Sequence, residues 1–142
     1  MIWFDASLNK PADDRTLQRG IAAMLGVAEE SVDVVYSITE IGAAPVTCVV
    51  DNSTADPYSQ LITLYLPDPL PSLDIVESAS RLAAALDRSL LLANDATADP
   101  YSFVHVSSAG RQSVVLVDPD ELDGNGRHVI REHDTLSEAS ST

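Results

Sequence analysis

Ser72-Leu73-Asp74-Ile75-Val76-Glu77-Ser78-Ala79-Ser80-Arg81-Leu82-Ala83-Ala84-Ala85-Leu86-Asp87-Arg88-Ser89-Leu90 is the stretch that decides the fold class. Ile75, Ala79, Leu82, Leu86 and Leu90 recur at helical spacing, Val76 and Ala83 widen their stripe, and Glu77, Arg81 and Arg88 take the wet side. Ser72 after Pro71 supplies an N-cap, with Asp74 in the first turn. An amphipathic helix of this kind needs an apolar sheet face to bury its stripe, and the flanking segments provide strands.

Upstream, Pro67-Asp68-Pro69-Leu70-Pro71 is a breaker run, and Gln60 to Leu66 alternates as a strand before it. Residues 46–50 form another strand, entered from a reversal at Gly42-Ala43-Ala44-Pro45. From Ser31 the period is two, with Val32, Val34, Tyr36 and Ile38 on one face. Before that, Pro11, Asp13 and Asp14 suit a helix start, Leu17, Ile21, Met24 and Leu25 form its stripe, and Gly26 stops it. Residues 2–8 form a short strand. Downstream of the apolar run Leu90-Leu91-Leu92, Ser102 to Val106 and Ser113 to Val117 make a hairpin around Ala109-Gly110-Arg111. The order is β-α-βββ-α-ββ: an α+β domain over residues 1–133, one antiparallel sheet of five to six strands carrying two amphipathic helices. Residues 134–142 lack apolar periodicity and read as a frayed tail. The absence of regular strand-helix alternation and of a glycine-rich phosphate turn disfavours a doubly wound nucleotide fold.

The chain has 142 residues, with 22 acids against 8 bases and a formal charge of −14. At 45% hydrophobic residues and mean hydropathy +0.05 it can build a core, unlike an acidic tail. Residues 1–71 hold 10 acids to 3 bases and residues 72–142 hold 12 to 5, so the excess is spread evenly. Such a surface repels phosphates and anionic headgroups, which excludes nucleic acid and membrane as partners and favours a basic protein. Nothing resembles a secretory signal or a membrane span, which points to a reducing, cytoplasmic setting. Cys48, the sole cysteine, alternates with Val46 and Val50 as a buried structural thiol. Asn52-Ser53-Thr54 is then an incidental sequon.

The hexapeptide Thr-Ala-Asp-Pro-Tyr-Ser occurs twice, at 54–59 and 97–102. Asp-Pro favours a type I turn, with proline presetting φ and the Asp side chain accepting backbone N–H bonds, so each copy serves to start a strand. The sharper expectation is a paired contact surface: Tyr58 and Tyr101 as aromatic anchors projecting from neighbouring loops, Asp56 and Asp99 beside them, and Asp51 and Asp95 just before. Asp118, Asp120 and Asp123 form a second acidic rim.

Residues 121–132 nearly match a calcium loop, with Glu121, Asp123, Asn125, Gly126 and Glu132 at positions 1, 3, 5, 6 and 12. Glu at position 1, His128 at position 8 and a preceding strand instead of a helix favour a flexible turn, supplied by Asp123-Gly124 and Asn125-Gly126. His105, His128 and His133 lack metal-ligand spacing, and His105 reads as a structural histidine on the face of Phe103 and Ser107. No hydrolase, kinase or Walker pattern occurs, so neither catalytic residues nor a cofactor or metal are expected.

In size, acidity, α+β pattern and lack of catalytic motifs, the chain resembles immunity proteins that neutralise bacterial contact-dependent or polymorphic toxins. That resemblance implies a non-catalytic inhibitor that caps a basic, nucleic-acid-targeting toxin. Residues 11–118, with Tyr65 to Pro71 before the second helix and Leu90-Leu91-Leu92 at its end, also look like class I type III secretion chaperones. The alternative function is accordingly chaperoning an effector segment, and an enzyme without a recognisable motif is a third class. Those chaperones end in a further helix, whereas 127–142 is polar here, and the immunity resemblance is preferred.

Overall fold

The computed structural model describes residues 2–52, 56–66, 74–94 and 97–133. Among them are eight strands in one sheet and three α-helices: β1 (Ile2–Leu8), α1 (Asp14–Leu25), β2 (Val32–Val35), β3 (Val46–Asn52), β4 (Gln60–Tyr65), α2 (Ile75–Leu86), β5 (Leu90–Ala93), β6 (Ser102–Val106), β7 (Gln112–Val117), α3 (Pro119–Asn125) and β8 (Ile130–His133). The sheet order is β2-β3-β4-β1-β5-β6-β7-β8, which puts the first strand in the middle.

The α+β class stands, with corrections. The sheet is mixed rather than antiparallel, because β2 pairs parallel to β3, from Val32 opposite Val46 to Val35 opposite Val49. Residues 42–45 are thus part of a crossover, since alternation marks a strand without giving its direction. The alternation through Tyr36 and Ile38 does not continue the strand either. Ser37 accepts the Thr39 N–H and starts a 3₁₀ turn at Ile38–Glu40, leaving Tyr36 and Ile38 exposed. Leu90 belongs to β5, because α2 ends at Leu86 and Asp87 caps it in the left-handed region at φ 53°. The extra elements β5, α3 and β8 raise the count above the expected five to six strands and two helices. The expected cap Ser72, the breaker run 67–71, Asp95 and the tail 134–142 lie outside the described residues. Asp74 caps α2, accepting the N–H groups of Val76 and Glu77.

Alternation places Phe4, Ala6 and Leu8 of β1 with Cys48, Val50, Ile62, Leu64, Leu90 and Leu92 on one face. There α1 covers them with Leu17 and Ile21, and α2 with Ala79, Leu82 and Leu86, all essentially buried. The two helices touch at Gly20, where a Cβ would stand 2.5 Å from Leu86 Cδ2, so the bare backbone permits their approach. Asp13 caps α1 by accepting the Thr16 N–H, and Gly26 ends it at φ 70°. Buried Gln60, the first residue of β4, ties the entry of α1 to the sheet by exchanging hydrogen bonds with both backbone groups of Ala12, at 2.9 and 3.0 Å.

The opposite face carries a smaller cluster of Leu91, Val115 and Val117, with Tyr58, Tyr101, Phe103, Leu122 and Ile130 packed against it. Among the described residues, the short α3, the loops around it and the Asp56–Tyr58 loop lie over this side, and the cleft described next opens beside them.

Candidate functional site

Asp56 organises the open face. Its loop folds as an Asx turn, with Oδ1 accepting the Tyr58 N–H at 2.9 Å. The second copy repeats this, with Asp99 Oδ1 accepting the Tyr101 N–H at 2.9 Å. Both copies share this Asx bond, while only the second also closes a backbone turn among the described residues, with the Ser102 N–H donating to the Asp99 carbonyl at 3.3 Å. Their surroundings differ. Asp56 is 8% exposed, and its Oδ1 also accepts the His128 N–H at 3.0 Å while Oδ2 lies 2.7 Å from His128 Nδ1. Asp99 is exposed.

His128 reaches Asp56 because of α3. Asp118 caps that helix by accepting the N–H groups of Asp120 and Glu121, Pro119 supplies the first position, and Gly126 turns the chain at φ 64°. Arg127 pairs with Glu121 at 3.2 Å, and His128 follows, its ring edge-to-face with Phe103 at 5.3 Å. The expected flexible turn at 121–126 is thus largely helix, and Glu121 is engaged by Arg127 and Asn125 rather than facing a calcium position. No three His, Cys, Asp or Glu side chains converge as a metal site among the described residues.

A cleft of about 390 Å³ lies between the Asp56–His128 pair and the sheet, lined by residues that include Asp5, Ser7, Asp51, Tyr58, Leu91 and Phe103. Among the described residues, no Lys or Arg lines it. Tyr58 also stands edge-on to the His105 ring, at 6.4 Å between centroids. Asp51, Asp56 and Tyr58 are thereby brought together, as the repeat led us to expect, but Asp56 is an internal bolt and does not project.

Tyr101 and Asp99 do not line the cleft. Both β4 and β5 run antiparallel to β1, so they run parallel to each other. The first copy leads into β4 and the second follows β5, so the two loops join opposite ends of parallel strands, yet Tyr58 and Tyr101 both pack against the Leu91, Val115 and Val117 cluster. Tyr101 donates to Asp123 Oδ2 at 2.5 Å, joining its loop to α3. Asp118 is spent on the helix cap, and Asp120 is exposed.

Sequence reasoning missed Asp5 and Ser7, whose strand was noted without a buried face, and did not connect His128 with an Asp 72 residues away. Cys48 is fully buried, and desolvation pushes its thiol up to about 12, which leaves it inert.

Burial first, and the Asp56 carboxylate second, raise the Tyr58 phenol above its ordinary value. The hydrogen bond to Asp123 does the same to Tyr101. A raised phenol means that the folded chain holds its proton longer than the unfolded one. The associated stability is therefore complete below about pH 10 and lost as pH rises through the native value. Denaturant midpoints should fall as pH rises from 9.5 to 11, and Tyr58→Phe should flatten that fall. A midpoint constant over the range would contradict it.

No protein-family model matches the chain, and no match was found among curated proteins or solved structures, so the functional argument rests on this geometry. No helix among the described residues is long and apolar enough to cross a membrane.

Proposed function

We propose that this chain is an acidic, non-catalytic protein-binding inhibitor, an immunity protein that neutralises a basic bacterial toxin in the cytoplasm. One observation carries the reading: the sheet face opposite α1 and α2 bears a concave acidic and aromatic surface with no Lys or Arg among its described lining residues. Charge of one sign on a concave surface accelerates encounter with a cationic protein, and aromatic side chains slow its release. The net charge of −14 supports the same choice of partner.

The test is the product of the neighbouring open reading frame. It should be toxic when expressed alone, be neutralised by co-expression of this chain, and form a stoichiometric complex whose association rate falls steeply with salt. A harmless neighbour, or one bound without protection from any toxicity, removes the reading.

A further inference from the structure

The cleft contains a polar group that the fold itself does not use. Ser7 is 6% exposed and lines the cleft, yet its hydroxyl has no hydrogen-bond partner among the described residues. The residue is buried while its hydroxyl opens into the cleft, which leaves that oxygen available to a ligand seated there. Alternation along β1 sends Ala6 and Leu8 into the helix-side core and turns Asp5 and Ser7 into the cleft. Asp5, on the central strand, is exposed and has no ion-pair or hydrogen-bond partner for its carboxylate among the described residues, so its charge faces the cleft unneutralised. These two groups are one strand repeat apart, about 6–7 Å. Register places Leu61 and Leu91 on either side of Ser7. Tyr58 and Phe103 contribute aromatic rings to the same lining.

Resting on the function proposed above, we propose that this cleft receives an arginine side chain of the basic partner. The guanidinium ion-pairs with Asp5 and donates a further N–H to the Ser7 hydroxyl, and its plane lies beside the aromatic rings. Leu91 and Ala93 contact the aliphatic stem. A planar fork of five donors serves a carboxylate and a hydroxyl together, and stacks on aromatic faces, whereas a lysine ammonium is a compact, strongly hydrated point charge. An anionic side chain would meet Asp5, Asp51 and Asp56 with no Lys or Arg to offset them.

The probe is blocked arginine, N-acetylarginine methylamide, titrated into the isotope-labelled full chain at low salt and followed by amide NMR. Saturable shifts should centre on residues 5–7, 91–93 and 103, with Kd on the order of 1–10 mM, as fits one side chain. Blocked lysine should bind at least about threefold more weakly, given its poorer fork geometry. Asp5→Asn and Ser7→Ala should each weaken arginine binding by about fivefold or more while the remaining spectrum stays native. Absence of saturable shifts, or binding unchanged in Asp5→Asn, overturns the proposal. The neighbour-encoded partner separates the two claims. If it binds the Asp5→Asn, Ser7→Ala double variant with unaltered affinity, the arginine receptor is lost and the inhibitor reading stands. Arginine binding at the cleft without any partner binding keeps the receptor and removes the inhibitor reading.

Discussion

Replacing Asp56 by Ala is expected to lower unfolding free energy by about 2–3 kcal/mol, each stranded, part-buried donor costing about 1 kcal/mol, the low end of the range for buried ones. Three donors lose their acceptor together: the backbone N–H groups of Tyr58 and His128 and the His128 ring nitrogen. Asp56→Asn should cost appreciably less, since an amide oxygen still accepts both backbone donors while only the ring contact must be rearranged. Urea denaturation measures both, and hydrogen exchange at Tyr58 and His128 reports whether the 126–128 segment separates from the sheet. An Asp56→Ala variant within about 0.5 kcal/mol of the parent, the span of an ordinary surface change, would show that the bolt is ornamental.

The second large effect belongs to the helix-side core. Leu82 is fully buried in α2 and its Cδ1 stands 3.6 Å from where a Gly20 Cβ would lie, at the contact of the two helices. Leu82→Ala should cost about 3–4 kcal/mol, the lost transfer energy plus a cavity that two helices and a sheet cannot close. Leu122→Ala, in half-buried α3, should cost distinctly less and leave the main transition cooperative. Equal losses at the two positions would mean that the open-face cluster is as well packed as the helix-covered core.

The helices that bury a stripe were legible in the sequence, as were the strands that alternate. Leu17, Ile21, Leu82 and Leu86 had only one place to go, and Gly26 terminates α1 as a left-handed cap should. Leu90-Leu91-Leu92 was illegible because both faces of β5 are apolar: Leu90 and Leu92 join the helix-side core and Leu91 the opposite cluster, so helix spacing simply ran on into it. The α3 helix did leave a signal, Asp118 as cap, Pro119 at the first position and Gly126 beyond the end, but its Gly124 and Asn125 looked like turn chemistry. Direction of pairing between β2 and β3 leaves no trace in an alternating pattern. The site was half visible. The repeated Asp-Pro-Tyr marked Asp56 and Tyr58 as special, and the Asx hydrogen bond is common to both copies. What makes the first copy different is His128, which arrives through tertiary contact alone.

The central position of β1 also bears on how the chain is made. Its first strand pairs with β4 and β5, so during synthesis residues 2–8 have no sheet neighbour until residues 60–65 have left the ribosome, and none on the other side until residues 90–93 follow. The apolar edge of Phe4, Ala6 and Leu8 therefore waits while residues 9–59 are made, and long-range pairing of this kind is slow and exposed to aggregation. The even spread of acidic residues along the chain supplies charge repulsion throughout that interval, so the same acidity on which the proposed partner choice rests also keeps the unfinished chain apart from its copies.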